Sequence, residues 1–323
     1  MQGSTYLKWI ISFGLVCLSS ITVAVDKSDG LSVLTGTQAT YSITAALLQN
    51  TDIETVNIPA DGRRLSSLKD YIERRKARFE PIFQAADAVV AYTNVIGADP
   101  LYRFAREANI HLVYIDAAQP WGYDSPGVSL VEQPSSNVEW HVAPDEKQVT
   151  VPQSDYFWLS LNNAIRMSDI IGNDLARIFP EQEALIKENL NKLKSDFMAL
   201  SREYQNRLFE VADISVFALA NEFVYLTNDL GLFVDGYFLK QDIDWTEEDL
   251  SRLTERLVSR NIKVVLHKWE PSEAIQAAVQ KADAKIVVLD TLDAGITQDG
   301  ALVIDGYQQI LRNNLEKILT GLQ

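Results

Sequence analysis

A long stretch without any helix breaker constrains this chain more than any other feature. After Pro180 neither proline nor glycine occurs until Gly231. Within that stretch Ile186, Leu190, Leu193, Phe197, Leu200, Tyr204 and Leu208 recur at steps of three or four, which places them on one face of a helix. Pro180 suits a first helical position, and Glu181 and Glu183 suit the positive end of the helix dipole. The pattern predicts one amphipathic helix over residues 180–210, about 45 Å long at 1.5 Å per residue. Such a rod near mid-chain reads as a stiff connector between two bodies. The alternatives are a long helix inside one domain and a coiled-coil seam.

Both flanks of the rod carry the same alternation. Continuous β-branched apolar runs occupy Leu31–Gly36, Ala86–Tyr92 and His111–Asp116 before it, and Asp213–Leu219, Ile262–His267 and Ala284–Asp290 after it. Runs that are continuous rather than alternating suit strands buried on both faces of a parallel sheet. Helical patterns separate them, as in Asn162–Phe179 with Ile171, Leu175, Ile178 and Phe179 on one side. The expected fold class is therefore α/β: two doubly wound lobes with parallel sheets, joined by one long connecting helix. The expected division is an N-terminal lobe over 25–179, the connector over 180–210 and a C-terminal lobe over 211–323. Ala117–Gln153, with five prolines, reads as an extended surface excursion, in part a short hairpin.

The first 25 residues run from Lys8 through the apolar stretch Trp9–Cys17 to the small-residue exit Thr22-Val23-Ala24, the layout of a secretory leader. The apolar run before Cys17 is far shorter than the roughly 20 residues that span a bilayer. A signal peptide over 1–24 and a soluble chain exported to the periplasm are expected. Val16 replaces the small residue that usually precedes a lipidated cysteine. Cys17 is the only cysteine, so the chain after cleavage offers no disulfide, thiolate zinc site or cysteine nucleophile.

A formal charge of −15 disfavours nucleic acid and anionic membrane as partners. No serine elbow, HExxH, P-loop or GxGxxG pattern is present. The acidic run Asp242, Asp244, Glu247, Glu248 and Asp249 around Trp245 reads as the capping charges of a helix start. The chain is expected to be a monomer and not an enzyme.

Several segments together carry a resemblance. Asp155-Tyr156-Phe157-Trp158-Leu159-Ser160, followed by Asn162-Asn163-Ala164, resembles the Asp-Pro-His-x-Trp-Leu-x-Pro-x-Asn-Ala signature of zinc and manganese solute-binding proteins, the TroA-like family of cluster A-I. Gln84–Val90, Glu222–Leu226 with Leu230-Gly231-Leu232, Val288-Leu289-Asp290-Thr291-Leu292, and Tyr307 with Asn313 or Asn314 follow in the family's order. The resemblance implies two lobes on one long helix, an inner-membrane ABC permease as partner, and zinc or manganese as the carried ligand.

The family's metal ligands are mostly replaced. Pro59–Arg64 is followed by no histidine, Tyr156 stands where the second histidine is expected, and Ala220 stands at the third ligand, which leaves Asp290. In parallel sheets ligands bind beyond the carboxyl ends of strands, so His267 and Asp290, each ending a strand, are candidate metal ligands, with Glu222, Tyr156 and His141 to complete the set. His111 begins its strand and is read as structural. Arg63 and Arg64 occupy the loop of the first missing histidine. Guanidinium groups bind carboxylate and phosphate but do not coordinate a cationic metal. With Trp158 and Trp269 they form an alternative ligand set for a chelated metal or a small organic anion. Three functions remain open: a zinc or manganese binder with an altered site, the same fold binding a chelate or organic anion, and a non-transporting interaction module.

Overall fold

The computed structural model describes residues 30–92, 95–97, 99–122, 126–140 and 152–323. The predicted leader, Cys17 and His141 lie outside the described residues.

The first lobe is built on four parallel strands, β1 (Leu31–Thr35), β2 (Ile53–Asn57), β3 (Ala88–Ala91) and β4 (Val113–Asp116), in the order β2-β1-β3-β4. Around them run α1 (Gln38–Leu47), α2 (Leu65–Glu73), α3 (Lys76–Ala85), α4 (Leu101–Ala108) and α5 (Leu161–Ile178). Leu34, Val89, Leu68, Phe83 and Leu101 pack into one layer of core between the sheet and α2, α3 and α4. Val33, Val90, Ile43, Leu47 and Ile171 fill the layer on the opposite face of the sheet. β1 and β3 are buried on both faces because both layers need apolar side chains from them.

A short 3-10 turn at Pro180–Gln182 leads into α6 (Glu183–Phe209), 27 residues long. All seven apolar residues of the predicted stripe are buried, and no other residue of the helix is. The stripe faces one continuous core shared with α5, β5, β7 and the last helix of the chain.

The second lobe repeats the plan. Its strands are β5 (Ser215–Ala218), β6 (Phe233–Tyr237), β7 (Val264–His267) and β8 (Lys285–Val288), all parallel in the order β6-β5-β7-β8. Its helices are α7 (Val224–Leu230), α8 (Glu247–Ser259) and α9 (Glu273–Lys281). The acidic run does start a helix: Thr246 and Asp249 cap α8 reciprocally. A two-stranded ribbon, β9 (Thr297–Gln298) with β10 (Ala301–Leu302), precedes α10 (Gly306–Leu322). The excursion after β4 has no regular element in its described part beyond an antiparallel bridge between Glu132 and Gln153.

The last segment of the chain returns to the first lobe. Gln38 of α1 donates through Nε2 to the Val303 carbonyl at 2.9 Å and accepts the Ile296 amide through Oε1 at 2.9 Å. A Cβ on Gly306 would meet the Gln38 side chain at 2.6 Å, so glycine is required at that contact. The Tyr307 hydroxyl, fully buried, donates to the Trp158 carbonyl at 2.5 Å.

Candidate solute-binding cleft

In each sheet the chain reverses direction of winding beside its first strand, between β1 and β3 and between β5 and β7. A parallel sheet leaves a crevice at the carboxyl ends of such a strand pair. A cavity of about 350 Å³ lies there, lined from the first lobe by Arg64, Ser66, Asp155, Tyr156 and Trp158 and from the second by Lys268, Trp269, Thr291 and Asp293.

The strand end of β7 fixes one wall. His267 is 2% exposed, and its Nδ1 accepts the Lys268 amide at 2.8 Å and, more weakly, the Trp269 amide at 3.4 Å. An accepting Nδ1 leaves the proton of a neutral imidazole on Nε2, which faces Asp242 Oδ1 at 3.7 Å. Burial pushes the imidazole below its usual range, against the pull of Asp242. His267 therefore acts as a cap on the turn that projects Lys268 and Trp269 into the cleft. Both its nitrogens are occupied by that role.

Lys268 then reaches back to Glu222, which follows β5, and forms an ion pair with Oε1. Its ammonium also lies 4.6 Å from the centre of the Trp269 ring. Glu222 is buried, and its second oxygen, Oε2, has no hydrogen-bond partner among the described residues.

Tyr156 and Asp293 complete the polar wall. Burial raises the Tyr156 phenol, and the charges of Asp293, Glu222 and Asp155 raise it further. Burial likewise raises the Asp293 carboxyl, while the Thr291 hydroxyl at 2.9 Å and the charges of Arg64 and Lys268 hold it down. Asp155 is raised by burial alone.

The expected site residues thus separate. Tyr156, Trp158, Trp269 and Arg64 line the cavity, and Glu222 sits behind Lys268. Trp158 is also a packing residue: it stacks on Tyr92 at 5.6 Å and is 6% exposed. Arg63 points elsewhere, pairing with Asp61 at 3.0 Å and covering the Tyr71 ring at 4.8 Å. Asp290 is not among the cavity residues. Its Oδ1 accepts the Leu292 amide at 2.7 Å and its own amide donates to Asn314, which fixes a loop in which Leu292 takes a φ of 65°. His111 lies at the far end of the first lobe beside Ser32, Asp87 and Asn109, as its place before β4 implies. Lys268 and Asp293 were not anticipated. Lys268 directly follows a strand-end residue and was legible by that position, whereas Asp293 was hidden behind the more familiar Asp290.

Among the described residues no group of three His, Cys, Asp or Glu side chains stands close enough to hold a metal ion. No described helix is long and apolar enough to cross a membrane.

Comparison with known proteins agrees with this architecture. The family model described as "ZnuA: Zinc-uptake complex component A periplasmic" matches residues 62–321. The chain is 24% identical over 167 residues to the zinc-binding lipoprotein AdcA of Streptococcus pneumoniae serotype 4, a match over half of this chain and a third of that protein. Among solved structures it resembles a mutant of FpvC from Pseudomonas aeruginosa, with 17% identity and a TM-score of 0.68 over 91% of this chain and 99% of that one. A crystal structure of ZnuA superposes with a TM-score of 0.63 at 15% identity, covering 91% and 100% of the two chains. The Zn(II)-bound ZnuA-like domain of S. pneumoniae AdcA gives 0.61 at 18% identity, over 90% and 98%. With the family model spanning both lobes and the long helix, the chain belongs to the ZnuA family of periplasmic zinc-uptake components.

Proposed function

We propose that this protein is the periplasmic solute-binding component of an ABC importer, and that its solute is a small carboxylate, free or wrapped around a metal, instead of a bare zinc or manganese ion. The observation that carries the reading is the pair of cations facing one cavity from opposite lobes, Arg64 and Lys268. A carboxylate bridging them gains charge-assisted hydrogen bonds from both sides. Trp269, Tyr156 and Trp158 supply apolar walls, and hydroxyl or amino groups on the solute would donate to Asp155 and Asp293.

Family membership favours a metal cargo, and zinc is bound by the AdcA domain named above. The side chains of this cleft suit that cargo poorly as a naked ion. The imidazole of His267 is committed to its turn, Asp290 to its loop, and the Glu222 carboxylate to an ammonium. A metal that arrives inside an anionic shell avoids this conflict, because the shell and not the protein supplies its ligands.

Calorimetric titration of purified protein with citrate, zinc citrate and zinc chloride tests the reading. Saturable binding of citrate or its zinc complex, weakened by Arg64→Ala, is expected. Tight binding of zinc chloride that is lost in His267→Ala and Asp290→Ala would instead establish a bare metal site. Binding of none of the three would favour an interaction module.

A further inference from the structure

One side chain decides what charge this cleft accepts. Glu222 carries a buried oxygen, Oε2, without a partner. Asp293 and Tyr156 line the same cavity as Lys268, and both respond to the Glu222 charge. Oxygens from the ends of β5 and β8 and from the segment before α5 therefore gather around the Lys268 ammonium. That ammonium is fixed from three sides: by Glu222, by the Trp269 ring, and by the backbone amide of Lys268 on His267 Nδ1 at 2.8 Å.

We propose that the Lys268 ammonium is a tethered cation standing where a free divalent cation would otherwise bind, so that residue 268 sets the preference of the cleft between anions and bare metals. The proposal rests on the solute reading above and names the residue behind it. The oxygens around Lys268 form an electronegative pocket whose counter-ion cannot leave, since it is part of the chain. A divalent ion would have to contact Glu222 within a few ångströms of a fixed positive charge, where repulsion is little screened. The same ammonium, once its carboxylate partner holds it in place, turns its remaining N–H donors toward the cavity.

Lys268→Gln removes the charge while keeping an amide donor for Glu222. Zinc chloride titrated into the variant should bind once per chain, at least about tenfold more tightly than to wild type, and should raise the melting temperature of the variant only. Lys268→Arg, which keeps the charge, should behave as wild type. Lys268→Gln combined with Glu222→Gln should lose the gain. Equal zinc binding by wild type and Lys268→Gln would overturn the proposal, as would a Lys268→Gln variant that fails to gain zinc or stays unfolded with and without it. Citrate binding is read separately. If wild type ignores citrate while Lys268→Gln gains zinc, the solute reading falls and the tethered cation stands.

Discussion

The indole Nε1 of Trp158 donates to the Thr291 carbonyl at 3.0 Å, joining the segment that leads into α5 to the loop that follows β8. The bond crosses the mouth of the cleft, and the Trp158 carbonyl is held in turn by Tyr307. Trp158→Phe keeps an aromatic ring against Tyr92 but leaves the Thr291 carbonyl without its donor. A loss of about 1–2 kcal/mol in unfolding free energy is expected, from the missing hydrogen bond and the smaller ring. Urea denaturation monitored by circular dichroism measures it, and a variant as stable as wild type would show the bond to be dispensable.

The α6 stripe joins the two lobes through one core. Leu193 is 5% exposed there, and Leu193→Ala should cost about 2–5 kcal/mol. Because the cavity would open in a core common to both lobes, thermal unfolding should stay a single transition at a lower temperature. Two separated transitions would show that the lobes melt independently.

A rod packed along its length against both lobes leaves little room for a wide hinge. Small-angle scattering with and without zinc citrate should give no resolvable change in radius of gyration. A change of several ångströms would refute α6 as a stiff connector between lobes divided near residues 180 and 210.

Asp174, on α5, is 1% exposed on its side chain, and its pKa is pushed up to about 6 by burial, with Arg177 at 3.2 Å pulling the other way. The folded state therefore holds this proton where the unfolded chain has released it. The contribution of Asp174 is favourable below pH 4 and is lost as pH rises toward 6. Asp174→Asn should be more stable than wild type at pH 7, by on the order of 2 kcal/mol, and the difference should vanish near pH 4. Equal stability at both pH values would contradict the burial argument.

His267 titrates with the opposite consequence. Its pKa is lowered in the folded protein, so the unfolded chain takes up the proton first as the solution is acidified. Its contribution is present above pH 6.5 and declines below it, because a protonated Nδ1 cannot accept the Lys268 amide. His267→Asn offers an oxygen in place of Nδ1 without titrating. Wild type should lose melting temperature faster than this variant between pH 6.5 and 5, and parallel curves would argue against the cap.

The parts of the fold that were legible in the sequence are those where burial leaves no choice. The α6 stripe and the six central runs must be apolar, and all seven elements appear where the periodicity puts them. β2 and β6 escaped because both are edge strands, with Glu54 and Thr55 in one and Asp235 and Gly236 in the other. A strand open on one edge is not obliged to be continuously apolar. At position 236 a side chain would strike the Phe217 ring at 2.9 Å, so the sheet itself demands the glycine that hides the strand. Within the cleft, Tyr156 and Trp269 were found because strand ends and a family signature point to them. The Lys268–Glu222 pair was not, since it joins two loops 46 positions apart and leaves no local spacing to read.

The contacts of Gln38 with Ile296 and Val303 have a bearing on how the molecule is made. The first helix of the chain obtains its partners from residues synthesised more than 250 positions later. Until those residues arrive, the inner face of α1, including Ile43 and Leu47, lacks the apolar cover of α10. A nascent or shortened chain ending before Gly306 would present that face to chaperones and proteases. Completeness of synthesis is thereby checked at the beginning of the molecule, where an interrupted product exposes its own defect.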